Sequence, residues 1–75
     1  MKVTIIDFKK ILYQDVAISI IAPGLNGYFQ ILENHALFIS VLGYGLIKLS
    51  KFNDKIFKKI NGFLRVKNNF VVVIL

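Results

Sequence analysis

The chain has 75 residues, no cysteine, one histidine and a formal charge of +6, which bounds it to a single domain over 1–75. Disulfides and thiolate metal sites are excluded, and four scattered acids beside one histidine argue against a structural metal. The apolar share of 56% exceeds the roughly 45–50% of ordinary domains, so a body this small is expected to turn apolar surface toward another protein.

The elements read as strands. Val3 to Ile6 is short and β-branched. Phe8, Ile11, Leu12 and Val16 also fit helical spacing, so that stretch stays ambiguous. From Val16 to Ile21 the pattern has the strand period of two, Val16, Ile18 and Ile20 alternating with Ala17, Ser19 and Ile21. Ala22 precedes Pro23 and is pushed to extended geometry. Pro23-Gly24 suits the centre of a type II turn and Asn26-Gly27 that of a type I′ turn. Tyr28 to Leu32 and Phe38 to Leu42 resume extension.

Gly43 and Gly45 flank Tyr44 and mark a turn. Leu46 to Ser50 alternates again, and Phe52-Asn53-Asp54 reads as a hairpin loop. Asp54 to Gly62 admits a short helix capped by Asp54, but a strand is preferred, because Gly62 to Lys67 needs a neighbour. Asn68-Asn69 is a tight turn, since asparagine tolerates positive φ. Phe70 to Leu75 is a continuous apolar run, expected to be buried on both faces. Together these predict an all-β fold: a small β-sandwich or flattened barrel of about eight short, mostly antiparallel strands.

No stretch reaches the roughly 20 apolar residues of a membrane-spanning helix. The run after Lys2 stops at Asp7, too early for a signal peptide. That pattern and the lack of cysteine fit a cytoplasmic-side protein.

Chemistry is hard to place. Asp7, Asp15, Glu33 and Asp54 fall in different loops or strand edges, and Ser19, Ser40 and Ser50 sit in strand patterns. Gly24-x-x-Gly27 lacks the Lys-Ser/Thr pair and the helix of a phosphate loop. No active site and no cofactor are expected. His35 reads equally as a loop histidine bonding nearby backbone and as a partner contact. Tyr28 reads as a core aromatic or an exposed anchor.

The basic balance raises single-stranded nucleic acid as an alternative partner. Phe63, Arg65 and Lys67 share a strand face, which Phe57 and Lys59 would extend. Against it, the lysines form no block, and Phe8, Phe29, Phe38 and Phe70 sit in apolar runs and read as core.

The order P-G-x-x-G-x-F-x-I-L-x-x-H-A from Pro23 to Ala36 resembles the signature of the ε subunits of F-type ATP synthases. Leu42-x-x-Gly45-x-Ile47, Asn61-Gly62-Phe63-Leu64-x-Val66 and Asn69-x-Val71-x-Val73 continue the likeness, which covers Val3 to Leu75. There are departures. Glu33-Asn34 stands where the family often has Pro-Gly, Leu37 where proline is common, Gln30 where glycine is common, and Asn61 for the first of two glycines. The family's C-terminal helical hairpin, which can inhibit ATP hydrolysis and in some members binds ATP, has no counterpart in these residues.

The resemblance implies a non-catalytic rotor subunit of a proton-translocating synthase, with no direct nucleotide binding. It would sit between the γ subunit and the c-ring on the cytoplasmic face of a bacterial membrane, held there through the complex only. Carried over by position, Asn26, Gly27 and Tyr28 would approach the c-ring. His35, Phe38, Ser40 and Leu42 would face γ. Pro23, Gly24, Gly27, Gly45 and Gly62 would shape the loops.

Overall fold

The computed structural model describes residues 1–51, 55–59 and 61–75. Among the described residues nine strands follow one another: β1 (Lys2–Asp7), β2 (Lys10–Val16), β3 (Ser19–Gly24), β4 (Gly27–Leu32), β5 (Phe38–Leu42), β6 (Gly45–Ser50), β7 (Lys55–Lys59), β8 (Gly62–Lys67) and β9 (Phe70–Ile74). The expected all-β architecture is present, and the preferred strand over Lys55–Lys59 is β7. The expected hairpin loop at Phe52 to Asp54 lies outside the described residues.

Hydrogen bonding runs in the order β2-β1-β9-β8-β5-β3-β6-β7, with β4 on the free side of β3. One pair, β1 with β9, is parallel; the others are antiparallel. The ladder narrows between β5 and β3 to the single pair Gly24–Leu42, with the Gly43 N–H donating to the Pro23 carbonyl at 2.8 Å beside it. That corner lets the sheet fold over. A five-stranded half (β2, β1, β9, β8, β5) then faces a four-stranded half (β4, β3, β6, β7). At a second corner the Ala17 N–H donates to the Met1 carbonyl (2.8 Å) and the Ile18 N–H to the Ser50 carbonyl (2.7 Å).

Alternation along each strand sends one side chain in two between the halves. Val3 and Ile5, Ile20 and Ala22, Ile31, Leu42, Ile47 and Leu49, Leu64 and Val66, Val71 and Val73 form the core. Tyr13, Phe29, Phe38, Phe57 and Leu75 pack against its margin.

Several expectations are corrected. The alternation from Val16 to Ile21 spans two strands: β2 ends at Val16 and β3 begins at Ser19. The phase flips across the bend, where Ala17 and Ile18 find new backbone partners: Val16 and Ile18 are exposed, but Ile20 is buried. The helical spacing near Ile11 and Leu12 is a bulge. Ile5 faces Tyr13 while Ile6 faces Ile11, which leaves Leu12 as the extra residue.

Pro23 and Gly24 are strand residues, and the β3–β4 turn is centred on Leu25-Asn26, with Gly24 opposite Gly27. β9 is buried on one face only: Val71 and Val73 point in, while Phe70 and Ile74 are exposed. Phe8 is not core either; it sits in the β1–β2 turn, 93% exposed. Asn68 and Asn69 both take positive φ, 51° and 64°, as the tight turn requires.

Candidate functional site

The registers place the turns at two ends of a body about 24 Å across. Asp7 opposite Lys10, Ile6 beside Ile74, Phe63 opposite Ile74 and Leu42 opposite Gly62 share one end. Gly24–Leu42 brings the β3–β4 turn there too. This end therefore carries Phe8-Lys9, Leu25-Asn26, Gly43-Tyr44 and Asn61. The opposite end carries Lys2, Val16, Phe38, Lys67 and Phe70, with the loops through His35 and Asn68-Asn69.

At the first end Asn26 and Gly27 are exposed, and Gly27 takes φ +119°, open to a residue without Cβ. Tyr28 is exposed along its ring, but its hydroxyl oxygen accepts the Leu46 N–H at 3.0 Å. The phenol lies across Gly45, where a Cβ would collide with the Tyr28 hydroxyl and with Pro23. A Cβ on Gly24 would fall 2.9 Å from the Gly27 carbonyl and 3.1 Å from the Phe29 ring. One on Gly62 would collide with the Ile74 carbonyl. Pro23 is buried. An open hollow of ≈ 490 Å³ beside this turn is lined by Leu25, Tyr28, Ile39, Val41 and their neighbours.

At the second end His35 is half-buried. Its Nδ1–H donates to the Ala36 carbonyl at 2.8 Å. The ring stands edge-on to Phe38, centroids 5.5 Å apart, and Phe38 in turn meets Phe29 at 5.3 Å. The Asn34 N–H donates to Asn69 Oδ1 at 3.0 Å, tying the β4–β5 loop to the β8–β9 turn. An open hollow of ≈ 560 Å³ lies between the two.

Of the residues that the resemblance set toward γ, the three on β5 turn inward. Leu42 is 2% exposed, and Phe38 and Ser40 are half-buried on the same inner face. Its outward side chains are Ile39 and Val41. They extend into rows across the outer face: Val41, Phe63, Ile74, Ile6, and next to it Ile39, Arg65, Val72, Thr4. Lys67, Phe70 and Lys2 form the next row. Of β5, β8 and β9, only β8 alternates in the sequence; β5 and β9 are largely apolar, so only the registers say which of their side chains point out. Phe63, Arg65 and Lys67 do share it, among aliphatic neighbours. Phe57 instead turns in against Tyr13, centroids 6.0 Å apart.

Between the two halves Lys51 Nζ donates to Asp15 Oδ2 at 2.8 Å, and the Val16 N–H to Asp15 Oδ1 at 2.7 Å. The Lys51 hydrogen bond, then that backbone N–H, hold the Asp15 carboxyl below its ordinary range. The hydrogen bond to Asp15 raises Lys51. Among the described residues no cluster of three or more His, Asp or Glu side chains has the arrangement of a metal site.

These features define a small all-β domain whose chemistry is that of surfaces: two loop-bearing ends and a broad apolar sheet face. The whole chain, residues 1–75, matches the family model described as ATP synthase, Delta/Epsilon chain, beta-sandwich domain, and it belongs to that family. An ATP synthase epsilon chain of Leptospira interrogans is 36% identical over 75 residues, which is 99% of this chain and 59% of the relative. One from Chlorobium limicola is 34% identical across 97% of this chain and 85% of its own length. This chain thus spans less than two thirds of the Leptospira proteins it matches.

Among solved structures, a chain of the Euglena gracilis mitochondrial ATP synthase (OSCP/F1/c-ring) superposes with a TM-score of 0.89 at 16% identity, over 96% of this chain and 48% of that one. A chain of the Tetrahymena thermophila mitochondrial ATP synthase central stalk and c-ring gives 0.82 at 21% identity, over 97% and 60%. At those identities the likeness is one of fold.

Proposed function

We propose that this chain is a central-stalk subunit of a proton-translocating F-type ATP synthase, which couples c-ring rotation through γ to ATP synthesis and does no chemistry itself. Its place is the cytoplasmic face of a bacterial membrane, and it binds no nucleotide directly. Family membership supports the assembly.

The observation that carries the role is the outer face. Val41, Phe63 and Ile74 stand side by side across three strands, each well exposed, with Ile39 and Phe70 in the adjoining rows. Ordinary monomers keep such contiguous apolar area small. In this reading γ seats on that face, near β5 and the His35 loop, and Asn26, Gly27 and Tyr28 approach the ring. Phe38, Ser40 and Leu42 act from behind, holding β5 in phase.

The test is co-purification with γ and the c-ring. The unaltered chain is retained. Ile39→Glu with Val41→Glu lowers γ affinity by roughly thirtyfold or more, the size of a hot-spot loss, without altering the circular dichroism of the free chain. Failure of the unaltered chain to co-purify sinks the proposal. Salt-sensitive binding to a single-stranded oligonucleotide through Phe63, Arg65 and Lys67 would favour the nucleic-acid reading instead.

A further inference from the structure

We propose that the end of the domain bearing Phe8, Leu25 and Tyr44 also makes direct contact with an anionic lipid surface, with Lys9 and Lys10 supplying the attraction. Sequence reasoning assigned membrane association to the complex alone; this adds a contact made by the chain itself.

Phe8 is the starting point. It is 93% exposed and holds φ at +56°, a region that bulky side chains avoid. A two-residue hairpin turn is better served by Asn or Gly. Phe8 therefore carries both backbone strain and a fully hydrated ring, and it packs against nothing in the core. Two more large apolar side chains top other turns at this end, Tyr44 at 81% and Leu25 at 71% exposure.

The shape of this end chooses the occupant. Each of the three side chains protrudes from its own turn. Leu25 lines the hollow beside its own turn, with Tyr28, Ile39 and Val41. A rigid partner would need three separate sockets in register. A bilayer interface yields to each side chain alone, and aromatic rings favour the headgroup level.

Charge then selects among lipids. Lys9 and Lys10 are exposed and have no ion pair among the described residues. Asp7 faces Lys10 across the turn, so one carboxylate stands against two ammonium groups. Each lysine near an anionic surface strengthens binding about fivefold.

The chain contains no tryptophan, so a single one serves as a probe. Phe8→Trp reports on the proposed end and Leu37→Trp on the opposite one. Vesicles of phosphatidylglycerol with phosphatidylcholine should shift the Phe8→Trp emission to the blue and leave Leu37→Trp unchanged. Phosphatidylcholine alone should act weakly. Adding Lys9→Gln or Lys10→Gln should each weaken the response about fivefold. Co-sedimentation of the unaltered chain with the same vesicles, reduced in Phe8→Ser, checks the result without the probe.

Absence of a shift and of co-sedimentation overturns the proposal. So does an equal shift at position 37, or an equal response to phosphatidylcholine alone. A shift at position 8 seen with detergent-solubilised c-ring and not with vesicles would assign Phe8 itself to a ring contact and overturn it as well. Vesicle binding needs only this chain. It stands if co-purification with γ fails, and it can fail while co-purification succeeds.

Discussion

Asparagine takes over from glycine at the turns of this chain. Asn34, Asn61, Asn68 and Asn69 hold φ of 62°, 49°, 51° and 64°. The left-handed region costs most L-residues roughly 1–2 kcal/mol, and asparagine offsets part of that with local hydrogen bonds. Two departures from the family pattern, Asn34 and Asn61, thereby keep the backbone a glycine would give. We predict that Asn34→Gly leaves stability nearly unchanged and that Asn34→Val lowers it by about 1–2 kcal/mol in urea titration. A valine as stable as the glycine would show that the strain is relieved elsewhere.

Tyr28 and Gly45 form the other residue-scale lesson. Each stood out alone in the sequence, Tyr28 as an expected ring contact and Gly45 as an expected loop former. That the phenol of one lies on the bare Cα of the other was not, because β4 and β6 are separate strands with β3 between them. Tyr28→Phe removes the acceptor of the Leu46 N–H and should cost about 1 kcal/mol. Gly45→Ala meets both a collision and a φ of +149°, and should cost about 2 kcal/mol or more. In a Tyr28→Ala background the alanine at 45 should cost less. Additive losses in this double-mutant cycle would refute the contact.

At the scale of elements, the sequence gives periods and turns well and phases poorly. β5 and β8 were bounded correctly because a glycine turn follows the one and an asparagine turn the other. β2 was ambiguous because a bulge puts two apolar residues in succession, which mimics a helix. The phase of β5, which turns Leu42 in and Val41 out, depends on a neighbour far along the chain.

The clasp between β2 and the end of β6 adds a pH dependence. Asp15 is depressed, so its contribution is present above the ordinary carboxyl value of 3.8 and lost as pH falls through its lowered value. Lys51 is raised, so its part is present below 10.5 and lost as pH rises through the raised value. An exposed pair is worth little. Even so, the gap in urea midpoint between the unaltered chain and Asp15→Asn should be widest near neutrality and close at both extremes. A gap independent of pH would remove the clasp from the account.

At the scale of the molecule, the core is one layer thick and shared by strands from both halves. A chain of this length has a stability of only about 4–11 kcal/mol. Ile20 is fully buried and pairs with both Ile31 and Leu49. Ile20→Ala should cost about 3 kcal/mol, a large part of the total. A bound partner restores stability in proportion to the logarithm of its concentration over Kd, so the variant should melt far earlier when free than when held on γ. Equal losses of Tm in both states would mean the domain needs no partner for its stability. The apolar excess was legible from composition. The outer face that displays it was not, because it is assembled from β1, β5, β8 and β9 across a parallel pairing between the two extremes of the chain.

The two corners of the fold have a mechanical consequence. One joins the halves through Gly24–Leu42 and Gly43–Pro23, the other through Ala17–Met1 and Ile18–Ser50, at opposite ends of the body. A plate hinged at one edge swings; two plates pinned at opposite corners and filled between them resist wringing. A load applied at one end of such a block divides between both joints.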